Sequence, residues 1–272
     1  MYAPAHPLRL AHREAGSGSP VVLLHGLADS SDLWRHQVPV LSQLYRTIVL
    51  DLRGHGRSPL GTPHFDLATM ADDVQTTLSH LGVDDAVVMG LSMGGGVAQS
   101  LTLRHAALVR ALVLVSTSSE FPEATRRRFV DRGATAERQG MEAVVDATVP
   151  RWFTSRFIKA HPEEVERTRR VVLEMDPVAF AAASRANAVR RFTDELHSIA
   201  CPVLFIGGTQ DPADPRRALE IYRRELASLR EELIPDASHL VPVEAADAFN
   251  AIVLRFLRDV EPKPAAPGGT GS

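Results

Sequence analysis

Short apolar runs recur along the chain, separated by longer stretches whose apolar residues fall at helical spacing. The runs cover residues 21–24, 47–50, 86–89, 111–115, 203–206 and, more weakly, 230–234. They are continuous rather than alternating, which predicts strands covered on both faces, as in a parallel sheet. Between them, residues 67–81 carry Leu67, Met70, Ala71, Val74, Leu78 and Leu81 along one helical stripe, and 95–108 and 245–257 read the same way. Strand alternating with helix predicts right-handed crossovers and a doubly wound, mostly parallel α/β sheet. Residues 8–14 are expected to add an antiparallel strand at the front edge.

One long segment breaks the alternation. From 120 to 196 no strand pattern is evident; the segment is helical in character, rich in Arg, and dotted with aromatic residues from Phe121 to Phe192. It lies between two strand candidates. Open α/β sheets bind ligands at the carboxyl ends of their strands, so a helical insertion here is expected to form a lid over the site. The organisation read from the chain is therefore a core of 1–119 and 197–260, a lid of 120–196, and a disordered tail of 261–272. That tail is almost entirely Pro, Gly, Ala, Ser and Thr and has little apolar surface to bury.

Composition narrows the function classes. With 272 residues, 44% of them hydrophobic, the chain can build one sizeable core. A net charge of -3 does not suit a nucleic-acid binder, which normally shows a strongly basic balance. No apolar run approaches the roughly 20 residues that span a bilayer. The first residues do not pair a basic segment with a long apolar core, so a cytoplasmic protein without a membrane partner is expected. The single cysteine, Cys201, excludes an intramolecular disulfide and reads as a small buried side chain at a strand edge rather than a catalytic thiol. The 11 His are scattered without metal-ligand spacing, so neither a metal nor an organic cofactor is expected.

The chemistry concentrates in three places. Gly90-Leu91-Ser92-Met93-Gly94 follows a strand candidate and runs directly into a helical pattern. This is a G-x-S-x-G elbow in its required context of strand, sharp turn and helix, which makes Ser92 the candidate nucleophile. A serine hydroxyl needs a base to take its proton. Asp211 and His239 each lie just past a strand candidate, on the rim expected to carry Ser92, and their order along the chain is Ser, Asp, His. Asp214 is the rival acid, three residues on. Backbone N–H groups of Met93 and Leu27 are the candidate oxyanion donors, with His25 as a buried support for the Leu27 loop. Asp51 to Ser58 reads as a tight hydrogen-bonded loop rather than a phosphate cradle, because no glycine-rich run ending in Lys-Ser/Thr is present.

Taken together, His25-Gly26, Asp51 to Ser58, Gly90 to Gly95, Asp211 and His239 resemble the α/β-hydrolase family over most of the chain. Asp32-Leu33-Trp34, the Gly90 to Gly95 string and Arg151-Trp152-Phe153-Thr154 resemble its 3-oxoadipate enol-lactonase branch, although those lactonases often carry Asn-Ser-Leu-Gly where this chain has His25-Gly26-Leu27-Ala28. The resemblance implies a small-molecule ester or lactone substrate, met in the lid by Trp152, Phe153, Arg151 and Arg156. Of the many lid arginines most are expected on a solvated face, and one facing inward could pair a substrate carboxylate. Cleavage through an acyl-enzyme is the leading expectation. A non-hydrolytic enzyme on the same scaffold, such as a perhydrolase or a tailoring enzyme of secondary metabolism, and a hydrolase-derived receptor are the alternatives. Serine at the elbow argues against dehalogenases and epoxide hydrolases, which place Asp there. No oligomeric state is indicated.

Overall fold

The computed structural model describes residues 6–261. Among them, seven strands form one sheet in the order β1-β3-β2-β4-β5-β6-β7. The strands are β1 (His12–Ala15), β2 (Pro20–Leu24), β3 (Arg46–Leu50), β4 (Ala86–Leu91), β5 (Val109–Val115), β6 (Val203–Gly208) and β7 (Leu229–Ile234). Every neighbouring pair is parallel except β1 with β3. The central strands are buried on both faces; β4 has no residue that is not. That is why they read as unbroken apolar runs. The edge strands differ. β1 (HREA) is mostly polar and β7 (LREELI) half polar, and β7 blunts its open edge with charges: Glu231 pairs Arg223, Glu232 pairs Arg255 and Arg230 pairs Asp259.

The expected front strand over 8–14 is corrected to His12–Ala15: Leu8 and Leu10 are instead tied by their N–H groups to Asp73 and Thr77 of a helix. The helices are α1 (Val38–Leu41), α2 (Leu67–His80), α3 (Met93–Arg104), α4 (Glu123–Gln139), α5 (Glu142–Thr148), α6 (Ser155–Ala160), α7 (Pro162–Leu173), α8 (Pro177–Ala188), α9 (Pro215–Glu225), α10 (Val241–Glu244) and α11 (Ala246–Val260). The helix expected from 95 to 108 starts two residues earlier, on Met93, and its α-helical run stops at Arg104. No helix among the described residues is long and apolar enough to cross a membrane. The expected tail lies, beyond Glu261, outside the described residues.

Between β5 and β6 the chain makes α4 to α8, and the strand-like feature there is one isolated bridge, Glu120 with Arg191. α4 packs along α8, whose sequence PVAFAAASRANA offers small side chains that let two helices approach closely. α7 is fastened to the loop after β2. Arg167 donates to both oxygens of Asp32 at 2.5 and 2.6 Å, and Arg35 pairs with Glu164. The Arg167 hydrogen bonds hold the Asp32 carboxyl below the usual carboxylate range. Just beyond Asp32, Trp34 is completely buried, its ring 6.3 Å from that of Phe249 on α11.

Candidate active site

Ser92 sits between β4 and α3 with φ 53° and ψ -108°. A non-glycine residue held there costs on the order of 1–3 kcal/mol and persists only where its surroundings fix it. Here they do. The Ser92 N–H donates to the Val115 carbonyl at 2.9 Å, and its own carbonyl accepts from Gly96 N–H at 3.2 Å and Thr117 Oγ1 at 2.7 Å. The flanking glycines answer a spatial need rather than a torsional one. A Cβ at Gly90 would stand 2.2 Å from the Gly94 carbonyl oxygen, and one at Gly94 would stand 2.4 Å from the Leu24 and His25 oxygens. Strand, elbow and helix are thus packed backbone on backbone.

The loops after β6 and β7 bring the acid and the histidine together. Thr209 N–H bonds Ile234 O at 3.0 Å and Gln210 N–H bonds Ala237 O at 2.9 Å, so the two loops run stitched side by side. His239 Nδ1 then meets Asp211 Oδ2 at 2.8 Å. Burial pushes the Asp211 carboxyl up. The His239 charge and hydrogen bond, helped by the Ala213 N–H, outweigh it and hold the group below its ordinary range. Asp214 does something else: at φ 56° it caps α9, accepting from Arg217 N–H.

Ser92, Asp211 and His239 line one cavity of about 610 Å³, together with Gly26 and Leu27. Met93 opens α3, so its N–H is among the four that an α-helix leaves without an internal acceptor. His25 is fully enclosed beneath the Leu27 loop. Its Nε2 accepts from Leu52 N–H at 2.9 Å, which leaves Nδ1 to donate to Gly26 O at 2.7 Å. Burial lowers its pKa, consistent with a neutral ring bracing the loop. The Asp51 to Ser58 turn is hydrogen-bonded inward: Asp51 accepts from Ser31 and Arg57 N–H groups, and buried Arg53 is bidentate to buried Asp73 at 2.6 and 2.7 Å. Cys201 lies just before β6, at the end of the strand opposite to Asp211, with burial pushing its thiol up to about 11.

The other side of the cavity is built by the insertion: Phe121, Phe129, Arg132, Val144, Arg151 and Trp152 face it. Of the four residues expected there, Arg151 and Trp152 reach the cavity. Phe153 and Arg156 do not line it. Phe153 is buried within the insertion, stacked 5.1 Å from Phe157, and Arg156 is on the exposed face of the short helix α6. The Arg-Trp-Phe-Thr string also has a further job. Trp152 O accepts from Leu240 N–H at 3.0 Å, and Glu244 joins Thr154 to Ser238 N–H, so the string carries the His239 loop.

Three cavity residues carry no motif and were not singled out from sequence as pocket groups. Arg132 is half-buried over the rings of Phe129 and Phe180, its Nε enclosed without a partner, and burial beside Arg151 and Arg128 pushes its pKa down to about 10. Arg190 is 3% exposed and packs over Phe121. Asp29, just past Leu27, is 8% exposed, and burial pushes its carboxyl up to about 7.

A family profile described as the alpha/beta hydrolase fold matches residues 19–246. The chain belongs to the α/β-hydrolase family. Among its relatives, 3-oxoadipate enol-lactonase 2 of Acinetobacter baylyi is 27% identical over 240 residues, covering 87% of this chain and 89% of that one. Among solved structures, the enol-lactonase of Burkholderia xenovorans LB400 matches with a TM-score of 0.87 at 30% identity, over 92% of this chain and 96% of that one. A thermophilic esterase of Thermogutta terrifontis matches with a TM-score of 0.89 at 30% identity, over 93% and 94%. The hydrolase thus resembles enzymes named for both esters and lactones.

Proposed function

We propose that this α/β-hydrolase cleaves a carboxylic ester or lactone through an acyl-enzyme on Ser92. The observation that carries the reading is the 2.8 Å bond between His239 Nδ1 and Asp211, made in the cavity onto which the strained Ser92 opens. Asp211 fixes the tautomer that leaves Nε2 of His239 free to accept the Ser92 proton. Ser92 Oγ attacks the carbonyl carbon while His239 takes that proton, and the developing oxyanion accepts from the Leu27 and Met93 N–H groups. Collapse breaks the bond to the leaving oxygen, which receives the proton from His239. In a lactone that oxygen stays tethered to the acyl group. Water then attacks the acyl carbon, giving its proton to His239, and Ser92 leaves with that proton. The step needs no group beyond these side chains and water.

The substrate side of the reading is a lactone or ester that bears a carboxylate. Arg132 favours it: its guanidinium lines the cavity over the Phe129 and Phe180 rings and is in none of the ion pairs among the described residues, so it gains a charge-assisted bond from an anion in the cavity. The enol-lactonase relatives point the same way. In this reading α4 to α8 act as the lid. The test is steady-state hydrolysis of aryl esters and small lactones by wild type and Ser92→Ala. A loss of about 10^4- to 10^6-fold in rate supports the nucleophile. A folded Ser92→Ala protein that turns over at the wild-type rate removes it.

A further inference from the structure

Arg190 comes from the segment that leads out of the insertion back towards β6. It is buried, and none of the ion pairs among the described residues includes it. Its Nη1 instead donates to the Ser92 carbonyl oxygen at 3.1 Å and to Thr117 Oγ1 at 3.0 Å. Thr117 in turn donates to the same Ser92 oxygen at 2.7 Å. The Phe121 ring covers the guanidinium with its centroid 4.1 Å from Cζ. The small Gly96 makes room for the guanidinium, since a Cβ there would stand 2.6 Å from Arg190 Nη1. The segment itself is held in place, with Phe192 N–H on Ser119 O at 3.0 Å and Ser119 Oγ 2.8 Å from Thr193 Oγ1.

The Ser92 carbonyl and the Met93 N–H belong to one peptide unit. A cation and a hydroxyl bonded to the oxygen of an amide draw electron density towards it and make its N–H a better donor, as chained hydrogen bonds polarise one another in a low dielectric. They also fix the plane in which that N–H points. We propose that Arg190, with Thr117, is a positioning residue for catalysis: it orients and polarises the Ser92–Met93 peptide so that the Met93 N–H binds the transition-state oxyanion more tightly than the ground-state carbonyl. The inference rests on the acyl-enzyme reading above. It explains why an arginine is kept buried without a carboxylate directly beneath the elbow, an expensive arrangement if the side chain only filled space.

The experiment compares wild type, Arg190→Met, Arg190→Lys, Thr117→Val and the double variant of Arg190→Met with Thr117→Val on a neutral aryl ester, after circular dichroism and thermal melts establish folding. Each protein is also titrated with an aryl boronic acid, which mimics the tetrahedral state on Ser92, and with an inert ether analogue of the ester. An oxyanion donor is commonly worth 10²- to 10³-fold in rate, and a change in its polarity accounts for a fraction of that, so Arg190→Met is expected to lose roughly tenfold in kcat. Its KM and ether affinity should stay within about twofold while boronate affinity falls in step with kcat. Arg190→Lys keeps a charged donor and should recover part of the loss. Thr117→Val, which leaves the buried charge alone, should show a smaller loss with the same signature, less than additive with Arg190→Met. Unchanged kcat, or equal losses of boronate and ether affinity, overturns the proposal in favour of a packing role. If neither Arg190 variant folds, Thr117→Val decides on the same readouts. A wild-type protein that fails to take a fluorophosphonate on Ser92 overturns the parent reading along with this one. A labelled wild type whose variants match it overturns this one alone.

Discussion

Asp29→Asn replaces the one cavity carboxyl that burial holds far above its ordinary range. The folded protein binds the Asp29 proton up to about pH 7, against 3.8 for an unperturbed carboxyl. Burial is the main cause; Asp32 and Asp51 push the same way, and the Ser30 N–H and Arg35 push back. A raised folded-state pKa means that stability is fully present below the unfolded value and is lost as pH climbs through the folded one. A shift of about three units corresponds to a loss of roughly 4 kcal/mol, of which somewhat over a third has accrued by pH 5 and the remainder arrives by pH 8. Asparagine does not titrate, and its amide oxygen can keep the 2.8 Å bond from Ser30 N–H. The stability of Asp29→Asn relative to wild type should therefore rise by roughly 2–3 kcal/mol between pH 5 and pH 8, read by urea unfolding at both values. All other groups titrate alike in the two proteins and cancel. An equal difference at both pH values would refute the assignment of a buried, protonated Asp29. The same charge should be visible in function: KM for a carboxylate-bearing substrate should rise above pH 7 in wild type and stay flatter in the variant.

Asp211→Asn should lower kcat by roughly 10^4-fold, because an amide cannot hold the imidazole in the working tautomer, whereas Asp214→Asn should leave turnover near wild type; equal mild effects on aryl-ester kinetics would contradict the assignment. Arg132→Met should reduce the preference in kcat/KM for a carboxylated over a neutral lactone by about ten- to a hundredfold, corresponding to a lost charge-assisted bond of roughly 1.5–3 kcal/mol. Arg156→Ala should leave that ratio unchanged, and a ratio that moves with Arg156 but not Arg132 would exchange their roles.

What could be read from the chain follows from where each signal originates. Central parallel strands are buried on both faces, so β2, β4, β5 and β6 announce themselves as apolar runs. β1 is a four-residue polar edge strand and has no such signature, so the expected strand took in the apolar Leu8 and Leu10, whose N–H groups bond to side chains of α2 instead. The start of α3 was placed two residues late because Gly90 to Gly94 reads as a turn throughout, whereas the helix already begins on Met93, directly after Ser92. The elbow and the order of Ser92, Asp211 and His239 were legible because local turn chemistry and position at strand ends carry them. Among the cavity arginines, Arg151 was expected there, while Arg132 and Arg190 were not. Arg190 is buried while Arg191 is exposed, and Arg151 faces the cavity while Arg156 faces solvent. Which member of such a pair turns inward depends on how α4 to α8 pack, and no local pattern encodes that. Asp29 was missed for a related reason: its burial comes from tertiary packing around an ordinary polar loop.

Covalent labelling of Ser92 tests the central claim most directly. Wild-type protein incubated with a fluorophosphonate should gain one adduct mass by intact mass spectrometry, with peptide mapping locating it on Ser92, in step with loss of esterase activity. Ser92→Ala should gain none. Full inactivation with the adduct elsewhere, or an unlabelled wild type that still hydrolyses esters, would contradict the acyl-enzyme account.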